Sequence, residues 1–125
     1  MDKLGNLYGT TESGAIYRLA PHPRGAWKET ILYDAPGEPV GGVVMDKSGA
    51  LYGTTSAGGS TGCGVVYKLG PAHKGKWRYT VLHNLLGSDG CEPSANLILD
   101  SKGNLYGTAA IGVAYGYGVA FELTP

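Results

Sequence analysis

The sequence lacks a long apolar run, an excess of charge of either sign, and more than a single pair of cysteines. No stretch approaches the roughly 18 consecutive apolar residues of a membrane-spanning helix, so we expect no transmembrane span. Lysine and arginine together number 10, as do aspartate and glutamate. This balance argues against nucleic acid or an anionic membrane surface as a partner. The first residues are neither cationic nor apolar enough to predict a signal peptide.

Glycine, by contrast, is frequent, at 22 of 125 residues, and it recurs within a sequence repeat. One segment is written three times: DKLGNLYGTT at 2–11, DKSGALYGTT at 46–55 and DSKGNLYGTA at 100–109. A matching apolar run follows each copy: GAIYRLAP at 14–21, GVVYKLGP at 64–71 and GVAFELTP at 118–125. Such self-similarity indicates a repeat architecture. The units are 2–45, 46–99 and a partial 100–125.

Each unit predicts the same series of short antiparallel strands. The Asp-x-x-Gly turn opens it, with the aspartate accepting backbone N–H groups and glycine supplying a positive φ. The LYGT strand and the second apolar run follow, and then a Trp-led strand at Trp27–Tyr33 and Trp77–Leu85. An apolar strand, expected to be buried on both faces, ends the unit at Gly41–Met45 and Ala95–Leu99. The glycines of LYGT, and those before the second run, are expected to let backbones approach closely.

Four strands in each unit of this length are typical of a β-propeller blade. We therefore predict an all-β fold of propeller-type blades, about two and a half of them, in one repeat domain over 1–125. The short apolar strand would be innermost and the Trp-led strand outermost. Because propellers typically need four to eight blades, we expect further repeats, from the same protein or from other copies, as partners. Met1 aligns with Met45 inside the repeat, which suggests that the chain begins within a longer protein.

The three motifs together resemble the Gloeo-Verruco (GloVer) tandem repeat of bacterial choice-of-anchor proteins. They are D-x-x-G-N-L-Y-G-T-T, the G-x-G-led apolar run ending in K-L-x-P, and W-x-x-T-V-L, and they cover essentially the whole chain. The resemblance implies a secreted or cell-surface bacterial protein built of many repeats, and it carries no catalytic residues over. The first unit departs from the pattern in its shorter connections at Glu12–Gly14 and Asp34–Pro39, and no anchor segment is visible. The D-x-x-G turn also resembles turns of sialidase-type and NHL-type propellers, which is a likeness of a hairpin alone.

Cys63 and Cys91 are the only cysteines, and both lie in extra segments of the second unit. Blade geometry would bring these two loops to the same end of a sheet, which favours a disulfide and an exported protein. Two free buried thiols are the alternative. No C-x-x-C pair or nearby histidine indicates a metal site, and none is predicted.

A ligand site is predicted at the same end, formed by Tyr115 and Tyr117 with Asp89 and Glu92. The tyrosines lie in a longer Gly-rich loop, where their rings could stack on a sugar or a peptide. Plain packing of the loop is the alternative.

The remaining candidates have structural interpretations. Repeat-linked tyrosines are expected to pack between blades, and repeat-linked aspartates to hold their own turns rather than calcium. His22 and His73 belong to basic turns, and His83 replaces Tyr33 on an outer strand, so we predict no catalytic residue and no cofactor. The repeat-linked tyrosines are Tyr8, Tyr52 and Tyr106, and the repeat-linked aspartates are Asp2, Asp46 and Asp100.

Three functions remain compatible with the sequence. The leading hypothesis is a non-catalytic extracellular segment that binds a carbohydrate or another surface ligand. A glycan lyase or hydrolase with its catalytic acids outside this chain is the second. A structural spacer without a ligand is the third.

Overall fold

The computed structural model describes residues 1–88, 90–112 and 117–125. In these residues eleven strands form three antiparallel sheets, and a short 3-10 helix spans His73–Gly75. The all-β class and its antiparallel sheets are therefore confirmed, while the number of blades stays a prediction. Within the same residues, no helix has the length and apolar character needed to cross a membrane.

Sheet 1 is a three-stranded meander at the start of the chain. It contains β1 (Leu7–Thr10), β2 (Ala15–Pro21) and β3 (Trp27–Asp34), in that order. A tight turn closed by a hydrogen bond from the His22 N–H to the Ala26 carbonyl joins the last two strands. The Trp-led segment is thus an edge strand, as the sequence predicts for the outermost position.

Sheet 2 lies in the middle of the chain and has four strands in sequential order. They are β4 (Pro39–Met45), β5 (Leu51–Thr55), β6 (Val65–Pro71) and β7 (Trp77–Asn84). The apolar and Trp-led strands are the two edges, and the LYGTT strand and the second apolar run lie between them. Sheet 2 therefore begins with the strand that closes the first sequence unit, so the sheet is offset from the sequence unit by one strand.

Sheet 3 is built around one long strand. It contains β8 (Cys91–Pro93), β9 (Ile98–Leu99), β10 (Leu105–Ile111) and β11 (Val119–Leu123), with β8 and β9 both paired to β10. The prediction of a continuous strand over Ala95–Leu99 is wrong, because the strand starts earlier and is interrupted between its two short parts.

A two-residue bulge explains the interruption. In sheet 2, Pro39 pairs with Thr55 and Met45 with Leu51, so six steps along β4 match four along β5. In sheet 3, Pro93 pairs with Ala109 and Leu99 with Leu105, which gives the same offset. The segments β8 and β9 together therefore correspond to β4, and the bulged residues bend the edge strand away from regular pairing.

The predicted burial of the Gly41–Met45 strand on both faces is only partly realised. Val43, Val44 and Met45 are half-buried, and Gly41 is exposed. Val43 packs toward sheet 1 and Val44 toward sheet 3, so the apolar run does serve two cores. Its position on a sheet edge, next to the bulge, leaves part of it uncovered.

The first core lies between sheets 1 and 2. Ile16 and Leu51 are fully buried in it, and the Tyr33 and Tyr79 rings stack with centroids 4.9 Å apart. We call the side of a sheet that contacts the next sheet along the chain its forward face, and the opposite side its back face. The forward face of sheet 1 contributes Tyr8, Ile16 and Leu32, and the back face of sheet 2 contributes Val43, Leu51, Tyr67 and Leu69.

The second core repeats this arrangement between sheets 2 and 3. The forward face of sheet 2 contributes Val44, Tyr52, Val66 and Leu82, and the back face of sheet 3 contributes Leu97, Leu105, Phe121 and Leu123. Residues at equivalent positions of the repeat thus make equivalent contacts. The repetition therefore allows each sheet to bury its apolar surface against the next sheet.

The repeated glycines have two different structural reasons. Gly118 adopts a positive φ of 77°, and a Cβ there would lie 2.7 Å from the Ala109 carbonyl oxygen, which is the predicted close backbone approach. The LYGT glycine instead lies beneath an aromatic ring of the paired strand. A Cβ on Gly53 would lie 2.6 Å from Cζ of Tyr67, so the expectation of a close backbone is wrong at this position.

Candidate functional site

The two ends of the sheets differ in their connections. At one end, which we call the turn end, the Asp-x-x-Gly turns precede β1, β5 and β10. At the other, the loop end, lie the connection between β5 and β6, the segment before β8, and the end of β10. The strand registers fix this arrangement, because Thr55 pairs with Pro39 and Ile111 with Cys91.

The Asp-x-x-Gly turns are self-contained, as the sequence predicts. Asp46 Oδ1 accepts the N–H groups of Ser48 and Ala50 at 2.8 and 3.0 Å, and its Oδ2 accepts the Tyr52 hydroxyl at 2.9 Å. The glycine of this turn, Gly49, has a φ of 86°. The same bonds recur around Asp2 and Asp100.

These hydrogen bonds set the acidity of the turn carboxylates. Burial of the Asp2 carboxylate raises its pKa, but hydrogen bonds from Asn6, Tyr8 and Leu4 outweigh that effect and lower the pKa to about 2. For Tyr52, burial and the bonded Asp46 carboxylate raise the pKa to about 12. Carboxylate oxygen atoms that already accept these hydrogen bonds within the turn are poorly available to a ligand. The described part of the chain contains no group of three or more His, Cys, Asp or Glu side chains placed to hold a metal ion.

The two cysteines meet at the loop end. Cys63 and Cys91 lie at disulfide distance, with their Cα atoms 4.5 Å apart, and the Glu92 N–H donates to the Cys63 carbonyl at 3.2 Å. The expectation that both cysteines lie in loops is wrong for Cys91, which is the first residue of β8. The disulfide consequently joins a loop of sheet 2 to an edge strand of sheet 3, and it fastens two sheets together.

A groove of about 620 Å³ opens beside this disulfide, between sheets 2 and 3. It is lined by residues from four elements: Glu38, Val40, Ser56, Ala57, Gly62, Glu92, Pro93, Ser94 and Ala110. Its charged groups are both carboxylates, from Glu38 and Glu92, and both side chains are exposed. The groove therefore presents two carboxylates and two serine side chains among apolar residues.

Glu38 is held by the start of the β5–β6 connection. The Ser56 N–H donates to the Glu38 carbonyl at 2.8 Å, and the Ser56 hydroxyl lies 3.4 Å from Glu38 Oε2. Glu38 thus lines the groove directly before the buried Pro39.

Glu92 occupies the equivalent position of the next sheet. It also precedes a buried proline, Pro93, which pairs with Ala109 as Pro39 pairs with Thr55. Its backbone φ is 52°, a left-handed conformation that is uncommon for a side chain of this kind. The neighbouring disulfide and the hydrogen bond to Cys63 hold the backbone there.

The sequence interpretation missed Glu38. The available signal is the Glu-Pro dipeptide, which recurs at Glu38-Pro39 and Glu92-Pro93 with the same spacing as the repeat. Glu92 therefore belongs to the repeat and is not specific to the second unit.

The other predicted ligand residues stand as follows. Tyr117 is described and is 89 % exposed, in the connection that follows the loop end of β10. Asp89 and Tyr115 lie outside the described residues, so their relation to the groove stays a prediction. The structure thus brings Glu92 together with Glu38, and it leaves the Tyr117 ring free of a packed core.

A groove of opposite charge lies on the outer part of sheet 2. It has a volume of about 690 Å³ and presents Lys68, His73 and Arg78, of which Lys68 sits 5.6 Å from the Tyr52 ring centroid. His22 lies in a turn at the turn end, as expected, and His83 is on β7.

The fold and this site define an all-β tandem-repeat protein with an acidic groove between two of its sheets. More specifically, the chain belongs to the Gloeobacter/Verrucomicrobia repeat family, whose model matches residues 1–125. No curated protein and no solved structure matches the chain.

Proposed function

We propose that this chain is a non-catalytic, propeller-type repeat segment of a secreted or cell-surface bacterial protein, and that it binds a carbohydrate in the loop-end groove. The observation that carries the proposal is the pairing of Glu38 and Glu92, from successive sheets, in one groove with the Ser56 and Ser94 side chains. Exposed carboxylates and hydroxyls in a groove are suited to accept and donate hydrogen bonds to sugar hydroxyls.

Two further features support a carbohydrate over other ligands. Aromatic rings commonly present an apolar face together with a polar tip, which suits the stacking of a sugar ring. Tyr117 supplies such a ring at the loop end, and Tyr115 is the predicted second one. The acidic groove disfavours nucleic acid, whose phosphates would meet both carboxylates.

An extracellular location follows from the disulfide in this proposal. Structural disulfides persist in oxidising compartments and are rare in the cytosol. Cys63 and Cys91 account for both cysteines of the chain. The surface interaction would therefore take place outside the cell.

The test is a glycan array probed with the 125-residue chain, followed by calorimetric titration of the best glycan. Glu38→Gln and Glu92→Gln each remove a charged acceptor, and Tyr117→Ala removes a ring. Losing a hydrogen bond to a charged group costs about 1.5–3 kcal/mol, so each glutamine variant should weaken binding by about tenfold or more.

Glu12→Gln is the matched control, because Glu12 is an exposed glutamate of sheet 1 that does not line the groove. It should bind as the unmodified chain does. Equal affinity of the three groove variants and the unmodified chain would move the site away from the groove, and absence of any glycan binding would favour the structural spacer. Release of shortened sugars from the bound glycan would instead favour the glycan lyase or hydrolase.

A further inference from the structure

Two sheet faces have no neighbour among the residues that the structure describes. The forward face of sheet 3 exposes Ile98 by 67 % and Tyr106 by 36 %, together with Ala120. The back face of sheet 1 exposes Ile31 by 48 % and Leu7 by 36 %. Apolar side chains that are gathered on one side of a sheet usually mark a surface that another element covers.

The open forward face repeats a face that is covered inside the chain. Tyr106 stands where sheet 2 has Tyr52, and both hydroxyls donate to the aspartate of their own turn. Tyr52 is 5 % exposed because sheet 3 packs on it, whereas Tyr106 has no such cover. The register also equates Ala120 with the fully buried Val66, since they pair with Thr108 and Thr54 of the two LYGT strands.

The open back face of sheet 1 corresponds to the back faces of sheets 2 and 3, which form the other half of each internal junction. Leu7 stands at the position of Leu51 and Leu105, which are both fully buried against the preceding sheet. Tyr17 lies over Gly9 as Tyr67 lies over Gly53. The back face of sheet 1 therefore resembles, in shape and composition, the back faces of sheets 2 and 3. Each of those two packs against a forward face within the chain.

We propose that the forward face of sheet 3 binds the back face of sheet 1 of a second copy of this chain. A second copy is the expected partner because the two open faces match the two halves of the internal junctions. The chain uses each half twice internally and leaves one forward face and one back face uncovered. Two copies would supply six sheets, which lies within the four to eight blades of closed propellers. A head-to-tail contact of this kind closes into a ring when its rotation allows.

The experiment measures the solution mass of the whole 125-residue chain by light scattering after size exclusion, over a range of concentrations. The expected mass at high concentration is twice the 13.0 kDa of one chain. Ala120→Lys places a charge on the forward face, and Leu7→Lys places one on the back face. Each variant alone should remain at the mass of one chain, because burying an unpaired lysine opposes docking.

Mixing the two variants gives the sharper result. Each retains the half that the other has lost, so an equimolar mixture should restore the mass of two chains through one intact junction. Leu86→Lys is the control, since Leu86 is 50 % exposed in the connection that follows β7, on neither open face, and it should associate as the unmodified chain does.

The outcomes separate cleanly because all three substitutions are at exposed residues, and unchanged circular dichroism would establish that each variant is folded. A larger assembly that both variants disperse would also support the docking. One-chain mass at every concentration, or a mixture of variants that stays at one-chain mass, would overturn it. An assembly that neither substitution disperses would overturn it as well, because association would then use another surface.

Discussion

At the scale of single residues, the repeated letters of the Asp-x-x-Gly and LYGT motifs describe one hydrogen-bonded unit. The aspartate accepts two backbone N–H groups of its turn with one oxygen and the tyrosine hydroxyl of the following strand with the other. The bond to tyrosine ties the turn to the strand six residues on. Hydrogen bonds to a charged acceptor are stronger than those between neutral groups.

Because these bonds favour the ionised aspartates, the stability of the fold should depend on pH in the acid range. The pKa values of Asp2, Asp46 and Asp100 are all lowered from the ordinary 3.8, that of Asp2 to about 2. A depressed folded-state pKa contributes stability that is fully present above about pH 4 and is lost as the pH falls toward the folded value.

Asp46→Asn should therefore reduce the slope of stability against pH below about pH 4, while Asp2 and Asp100 retain their share of it. The measurement is the free energy of unfolding by urea at a series of pH values, for the unmodified chain and the variant. Lys47→Gln alters the charge of the same turn and keeps the carboxylate, so its profile should retain the original slope. Identical slopes for Asp46→Asn and the unmodified chain would contradict the role of the carboxylate.

The glycine of the LYGT motif makes a second residue-scale contribution. Gly53 pairs with Tyr67, and the tyrosine ring lies where a side chain at residue 53 would have to go. The same pairing joins Gly9 to Tyr17 and Gly107 to Phe121. Glycine and the aromatic residue form a cross-strand pair. Because glycine has no side chain, the aromatic ring supplies all of the side-chain contact.

Gly53→Ala should destabilise the protein by about 1–3 kcal/mol, the usual cost of forcing a methyl group into a packed site. Thermal and urea unfolding would measure the change. Gly70→Ala is the matched control on the neighbouring strand, because a Cβ there meets only Lys68 Cε, at 3.9 Å. Backbone entropy alone favours alanine over glycine at both positions, so a loss of stability at Gly70 as large as that at Gly53 would show that the ring is not the cause.

At the scale of strands, the sequence predicts those elements whose pattern depends on local contacts. The LYGTT strand Leu51–Thr55 is predicted with its observed bounds, because a turn precedes it and alternating contacts fill both sides. The strand over Ala95–Leu99 is not, since a bulge depends on how β10 pairs with its neighbours. Periodicity within a segment does not reveal that two of its residues will be left unpaired against the facing strand.

The candidate site divides in the same way. The meeting of Cys63 and Cys91 could be expected from two insertions at one end of the fold. The partnership of Glu92 with Glu38 could not, because it depends on the packing of two successive sheets. The position of each glutamate is set by its own strand. The groove, however, forms only where strands of two different sheets pack together.

The disulfide between a loop of sheet 2 and strand β8 should contribute substantially to stability. It closes a segment with a sequence separation of 28, for which the loss of entropy in the unfolded chain corresponds to about 3–4 kcal/mol. The variant Cys63→Ser/Cys91→Ser should lose about that amount in urea unfolding. The unmodified chain should show the same loss after reduction, whereas the double variant should not respond to reductant. A response of the double variant would mean that the reductant acts elsewhere.

At the scale of the whole molecule, burial is concentrated in the middle of the chain. All five residues of β5 are buried, and most of β6 is buried as well, because sheets 1 and 3 cover the two faces of sheet 2. Strands β3 and β11 are sheet edges with alternating or largely exposed residues. The stability of the repeat array therefore depends on neighbours on both sides, as in other repeat proteins.

This gradient predicts the order of backbone hydrogen exchange. At a concentration where the chain has the mass of one copy, amides of β5 and β6 should exchange slowest and those of β3 and β11 fastest, because opening an edge strand exposes little buried surface. Mass spectrometry of proteolytic peptides would resolve the strands. When the concentration is raised, β10, β11, β1 and β2 should gain protection while β5 stays unchanged, since docking of a second copy covers only the outer faces. Ala120→Lys should abolish the gain and leave the order at low concentration intact. Protection of β11 equal to that of β5 in the single chain would contradict the gradient itself, whatever the state of assembly.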